Sequence, residues 1–275
     1  MHMSGTIRTK DGHGRLGSVL SGLAVAVGCA LFLGGFVWGV LVYRPYTVPT
    51  DSMTPTLDVN SRVLAERIDG AEVKRGDVVV FEDPLWASSP MVKRVVAVGG
   101  DTVACCDGDG RLTVNGRAVD EPYLGPGIDG RKTASGEEFS ATVPEGSLFL
   151  LGDDRHTSLD SRTHLEEAGQ GSVPRSAVVA RVDAVVWPAK GLLDRPASFA
   201  GLPGGLSEPG PFTTLLTMIT AGGILVFAGA AYGPVARLLG RRSDGGRAGA
   251  AGTGAGAGAG SGAVKRTGTG TGTGT

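Results

Sequence analysis

The sequence predicts a mainly β fold: an antiparallel β domain carried between an N-terminal and a C-terminal transmembrane helix. Three observations predict it. Residues 16–43 form one uncharged apolar stretch, residues 209–236 form another, and short β-branched runs broken by turn residues fill the region between. The organisation that follows is an N-terminus at 1–15, an anchor at 16–43, a β-rich domain at 44–208, a second span at 209–236 and a Gly/Ala/Thr-rich tail at 237–275. The tail's low complexity leaves it too little apolar surface to pack, so it is expected to be disordered.

The first stretch is bounded by Arg15 and Arg44. A bilayer core takes about 20 apolar residues in a helix, so the stretch spans it with some tilt. A cleaved signal peptide is the competing reading, and Ala26-Val27-Gly28-Cys29 resembles a poor lipoprotein cleavage box. A secretory core runs about 7–15 residues, however, and this one continues well past Cys29. Glycines and threonines weaken the second stretch, whose alternative is a buried or membrane-surface helix. Arg8, Lys10 and Arg15 outweigh Asp11 before the first span, and Arg237, Arg241, Arg242 and Arg247 outweigh Asp244 after the second. The positive-inside rule then puts both termini in the cytoplasm and residues 44–208 outside. The expected location is the cell membrane, as a multi-pass protein with lipid among its partners.

Within the β domain, Val78-Val79-Val80-Phe81, residues 92–98, Thr102-Val103-Ala104, Leu112-Thr113-Val114, residues 148–151 and residues 178–186 read as strands. Asp83-Pro84, Gly99-Gly100-Asp101, Asp107-Gly108-Asp109-Gly110 and Gly152-Asp153 supply turns. Asn115-Gly116 predicts a two-residue hairpin into Arg117-Ala118-Val119, because both residues adopt positive φ readily. Helical character is confined to a weak signal at 165–170.

Composition excludes several classes. The chain has 275 residues, and its 26 Lys+Arg nearly cancel its 27 Asp+Glu, so it has no electrostatic footprint for nucleic acid. Three cysteines are too few for a disulfide framework, and the adjacent Cys105 and Cys106 are open to a vicinal disulfide, intermolecular pairing or free thiols. His2, His13, His156 and His164 do not cluster, so neither a metal nor another cofactor is expected.

The segment with chemical potential is Val48-Pro49-Thr50-Asp51-Ser52-Met53-Thr54-Pro55-Thr56-Leu57, a proline-bracketed loop just beyond the first span. Ser52 would lie close to the membrane surface, with Met53 as an apolar contact at the interface or with substrate. A serine hydroxyl needs a base. His156 or His164, oriented by Asp160, is one candidate. Lys93 is another, because a lysine acts as a base only when desolvation keeps it neutral, and Lys93 lies in the apolar run Met91-Val92-Lys93-Arg94-Val95-Val96. Strict alternation would put Lys93, Val95 and Ala97 on one face and Val92, Arg94 and Val96 on the other.

The Ser52 loop resembles the nucleophile box of type I signal peptidases, Pro-Ser-x-Ser-Met-x-Pro-Thr-Leu. Gly76-Asp77-Val78-Val79-Val80-Phe81 is similar to the family's next strand box. Val92-Lys93-Arg94-Val95 with Gly99-Gly100-Asp101-Thr102-Val103 resembles its base-bearing strand and turn. The run from Gly152 to Arg162 resembles its Gly-Asp-Asn-Arg-x-x-Ser-x-Asp-Ser-Arg box. The resemblance implies a Ser/Lys protease that removes signal peptides from secreted preproteins after small residues. Ser52 is then the nucleophile, Lys93 the general base, and the Ser52 amide with the Thr50 hydroxyl the oxyanion hole. It also implies a hydrogen bond from Ser158 to the Lys93 amine, a buttressing Asp160–Arg162 ion pair, and scaffold roles for Asp153 and Arg155. Thr50, Asp154 and Thr157 depart from the family pattern without removing any of these groups.

Two other readings share parts of this pattern. A self-cleaving repressor-type protease uses the same dyad but needs a DNA-binding portion and no spans. A catalytically inactive membrane-anchored β domain would bind peptides or partner proteins without cutting them.

Overall fold

The computed structural model describes residues 12–126, 130 and 132–248. They fall into two compact units. In the first, the described residues are 12–26 and 225–248, and both segments are helical. The Ser21 hydroxyl donates to the Gly229 carbonyl at 2.7 Å there, and a side chain at Gly229 would meet the Ser21 carbonyl, so the two segments approach closely because glycine has no Cβ.

The second unit, Val27–Ile224, carries every strand. Helix α1 (Gly12–Val42) leads into β1 (Tyr43–Thr47), and α2 (Phe212–Ala248) closes the described chain. Leu16–Val42 and Phe212–Val235 are long and apolar enough to cross a membrane. Helix α2 continues through residues 237–248, where the sequence suggested that the tail begins. Residues 1–11 and 249–275 lie outside the described residues, so the remainder of both terminal expectations does too.

The larger sheet is built from β1, β2 (Arg62–Glu66), β3 (Val78–Phe81), β4 (Met91–Val98), β9 (Ser147–Leu151), β10 (Val173–Pro174), β11 (Val178–Trp187) and β12 (Gly191–Leu192). Its order is β1-β2-β11-β3-β4-β9-β10, with β12 added to β11. The smaller sheet, in order β7-β6-β5-β8, contains β5 (Thr102–Cys105), β6 (Leu112–Val114), β7 (Arg117–Val119) and β8 (Phe139–Thr142). All pairings are antiparallel. The β6–β7 turn is Asn115-Gly116, with φ of 53° and 74°.

Every residue of β3 is buried, which explains its uninterrupted valine run: a central strand covered on both faces has no polar side. Strand β4 departs from simple alternation. Val95 pairs with Leu150 and Ala97 with Phe149, leaving Val96 as an extra residue. This bulge resets the faces, so Val95 enters one core cluster while Val96 and Ala97 share another, against the expected grouping of Val95 with Ala97.

Strands β1, β2, β8, β10 and β12 escaped the sequence reading. Strand β1 holds Arg44 and Pro45, which an edge strand tolerates, and β2 begins and ends in charge. The helix suggested at 165–170 is replaced by turns after a 3-10 turn at Ser161–His164, which Asp160 caps by accepting from the Arg162 amide. Gln170 and Gly171, both at positive φ, end that stretch. Cys105 and Cys106 are joined as a vicinal disulfide, and Cys29 is a free thiol.

Candidate active site

Strand β4 brings Lys93 to the Ser52 loop. Its neighbour across β3 is Val79, and its amine donates to the Ser52 hydroxyl at 2.7 Å. Both residues are buried, Lys93 at 5% exposure and Ser52 at 8%. The loop is held in a tight turn by the Thr54 amide donating to the Asp51 carbonyl at 2.8 Å and the Leu57 amide to the Met53 carbonyl at 2.9 Å. The exposed Thr50 has its hydroxyl 3.2 Å from the Ser52 hydroxyl.

Burial pushes the Lys93 amine below the ordinary lysine pKa, against the pull of Asp160 and Asp153 and with the help of Arg162. Asp160 shows the opposite balance. Burial alone would raise its pKa, but the Arg162 hydrogen bond and charge and the Gly152 amide bring it below the usual carboxylate range. Arg162 meets Asp160 at 2.8 Å and 2.9 Å and donates to the Arg155 carbonyl at 2.8 Å, so the pair also fixes the 152–158 loop.

Asp153 and Arg155 anchor different partners. Asp153 receives Arg94 bidentately at 2.8 Å and 2.7 Å, and the Thr56 hydroxyl at 2.5 Å. Arg94 also donates to the Gly76 carbonyl at 2.8 Å and lies 3.9 Å over the Tyr123 ring. Arg155 grips Glu121 at 2.8 Å and 2.5 Å, and donates to the Gly152 and Ala134 carbonyls. Arg94, Glu121, Tyr123 and Thr56 are thus members of the site's scaffold that sequence reasoning missed. The one available signal was Arg94 itself, a charge inside an apolar strand that needs a buried partner.

Two expectations are corrected. Met53 is fully buried with Val48, Leu57 and Val63 in the core beneath the loop, not exposed at an interface, although it forms part of the lining of the groove beside Ser52. Ser158 does not bond the Lys93 amine: its buried hydroxyl makes no hydrogen bond of good geometry among the described residues, although it adds to the pull that lowers the Asp160 pKa. Asp154, where the pattern has asparagine, accepts from the His156 and Thr157 amides at 3.2 Å and 3.3 Å, work that either side-chain oxygen performs. The histidine alternatives find no geometry. His156 is exposed, and His164 stacks on Trp86 and bonds Glu167 at 2.7 Å.

Ser52 and Lys93 open into a groove of about 350 Å³ lined by residues 48–53, by Trp86, Ala87 and residues 89–93, and by Thr157 and Leu159. Chemically, a hydroxyl held against a lysine whose charge is disfavoured is a candidate nucleophile beside a proton acceptor, at the edge of an open groove.

Residues 19–187 match the family described as signal peptidase, peptidase S26. The chain is 33% identical over 200 residues to signal peptidase I of Mycobacterium tuberculosis, covering 56% of this chain and 68% of that protein. It is 36% identical over 161 residues to signal peptidase I of Bacillus caldolyticus, covering 55% and 83% respectively. It is also 34% identical over 153 residues to signal peptidase I S of Bacillus subtilis, covering 52% and 76%.

Proposed function

Because the chain belongs to the signal peptidase family, peptidase S26, and is a serine endopeptidase of that family, we propose that it removes signal peptides from secreted preproteins with Ser52 as nucleophile and Lys93 as general base. The observation that carries this is the 2.7 Å hydrogen bond between a buried lysine amine and a buried serine hydroxyl in a groove. Lys93, neutral, takes the Ser52 proton as the hydroxyl attacks the scissile carbonyl, then passes it to the leaving amine. The Ser52 amide and the Thr50 hydroxyl stabilise the oxyanion. Arg94–Asp153 and Arg162–Asp160 hold the two loops that meet at the dyad.

The substrate in this reading is an extended peptide with small residues before the cut, as in Ala-x-Ala signal peptides, bound along the groove as an added strand. Both helices cross the cell membrane, with both termini cytoplasmic and the β domain outside. Their apolar length supports this, as do close glycine contacts such as Gly35 against Ile219 and Gly222 against the Phe32 backbone. An enzyme held in the same bilayer as its substrate gains effective concentration.

The test is cleavage of a synthetic Ala-x-Ala signal-peptide substrate in detergent by the wild type, Ser52→Ala and Lys93→Ala forms. Robust wild-type cleavage, with each variant reduced by at least about a thousandfold, is expected. Cleavage surviving either substitution would refute the dyad, and an inactive wild type would favour a peptide-binding role for the domain.

A further inference from the structure

We propose that Trp86 determines substrate selection in this groove: its indole limits the size of the side chain admitted at one position of the bound peptide, and His164 is the positioning residue that holds the indole in place. The inference rests on the peptidase reading above. It concerns which peptides are cut, not how the bond is broken.

Trp86 is the one tryptophan among the described residues that line the groove, in the segment that leads into the Lys93 strand. It is held from several sides. The Trp86 and Ala87 amides both donate to the Asp83 carbonyl at 3.0 Å, and the Leu85 amide to the Asp83 carboxylate at 2.9 Å, which sets the turn that carries it. The edge of Phe81 meets the indole at 5.6 Å and 85°, and the half-buried ring packs on the core cluster that includes Val79, Val95 and Leu150. The His164 imidazole stacks on it at 4.4 Å and 9°, and that ring is itself tied to Glu167 at 2.7 Å.

A flexible side chain at this place would yield to a bulky substrate residue. A planar ring clamped between a core and a stacked imidazole yields only by losing those contacts. An extended peptide presents alternate side chains to the surface it lies on, so one rigid obstacle is read by one substrate position. Neither Trp86 nor His164 hydrogen-bonds Ser52 or Lys93, whose partners are each other and Thr50. Altering the pair should therefore act on the ranking of substrates at one position and not on the Ser52–Lys93 contact.

The experiment uses the full chain in detergent and an Ala-x-Ala peptide series with Ala, Val, Leu or Phe at each of the positions −3 to +1. kcat/KM is compared for the wild type, Trp86→Ala, His164→Ala and His164→Phe. For Trp86→Ala, the ratio of kcat/KM for Leu or Phe to that for Ala rises about tenfold or more at one position and stays at the wild-type ratio at the others. His164→Ala gives a smaller gain at the same position, and His164→Phe restores the wild-type ranking because its ring can stack. An unchanged ranking, a uniform fall for all peptides or a gain spread evenly over all positions would overturn the proposal. A wild type that cuts nothing would overturn the peptidase reading and this one with it; a wild type that cuts normally confines any failure to Trp86.

Discussion

Two of the clusters of buried charge in the β domain are treated differently. Beside Tyr43, Arg181 meets Glu66 at 2.6 Å, Arg195 meets Asp183 at 2.9 Å, Tyr43 donates to Asp183 at 2.8 Å, and Ser207 bridges Arg195 to Asp77. Each ion there has an opposite ion, although one Arg181 nitrogen lacks a hydrogen bond. Around Ser52, Arg94 has Asp153, Arg155 has Glu121 and Arg162 has Asp160. Lys93 alone forms no salt bridge among the described residues, and its amine points at a hydroxyl. The same fold that pairs three arginines within the site leaves one amine uncompensated. Uncompensated burial disfavours the charged form, which is what a general base requires.

The sharpest way to break this comparison is to delete neighbouring cations on one strand. Arg94→Met leaves the Asp153 carboxylate buried without a counter-ion and should cost about 3–5 kcal/mol of stability. Lys93→Met removes an amine that had no counter-ion, and should be no less stable than wild type while abolishing cleavage. Urea unfolding in detergent, followed by tryptophan fluorescence, measures both. Equal losses would mean that Lys93 is paired after all.

Two glycines test the same contrast by space rather than charge. A Cβ at Gly152 would collide with the Ser158 side chain and the Ser52 carbonyl, and one at Gly210 with the Asp183 carboxylate, the Tyr43 hydroxyl and the Glu66 carboxylate. Gly152→Ala should lower kcat/KM about a hundredfold by displacing the nucleophile loop, because misplacement of about 1 Å costs that much. Gly210→Ala should leave kcat/KM of the folded enzyme unchanged and lower stability by about 2 kcal/mol, through broken buried hydrogen bonds. Identical phenotypes for the two would erase the distinction between a reactive and a structural cluster.

The same division governs what was legible in the sequence. Val78-Val79-Val80-Phe81 and the Asn115-Gly116 hairpin could be read because strand burial and turn chemistry are local, and both appear at the expected positions. Ser52 and Lys93 could be singled out because their motifs are local too, although they are 41 residues apart and only the fold supplies their contact. The Arg155–Glu121 pair spans 34 residues and the Arg94–Tyr123 stack joins a strand to a loop, so no pattern within either segment announces them. The face assignment in β4 failed for a similar reason: a bulge at Val96 is set by its partner strand, not by its own composition. Met53 was assigned to the interface or to substrate from its softness and position; loop closure through Leu57 turns it into the core, where it still lines the groove.

The smallest expected effect is on pH dependence, and it separates Lys93 from Asp160. Burial lowers the Lys93 pKa in the folded state, so kcat/KM should rise about tenfold per pH unit below that value and level off above it. Between the folded value and the unfolded one near 10.4, the unfolded chain binds more protons, so stability should rise with pH across that window. The stability gap between wild type and Lys93→Met should shift accordingly, by about 1.4 kcal/mol for each unit that separates the two pKa values. Asp160 has the reverse sign. Its folded pKa is lowered, so its contribution is complete above the unfolded value near 3.9 and is lost as pH falls through the folded value. A flat rate profile from about pH 6 to 10 would exclude lysine as the titrating base. A rate profile that rises while the stability gap stays constant would assign the rising limb to a different group, since a proton shed by Lys93 on folding must appear in both measurements.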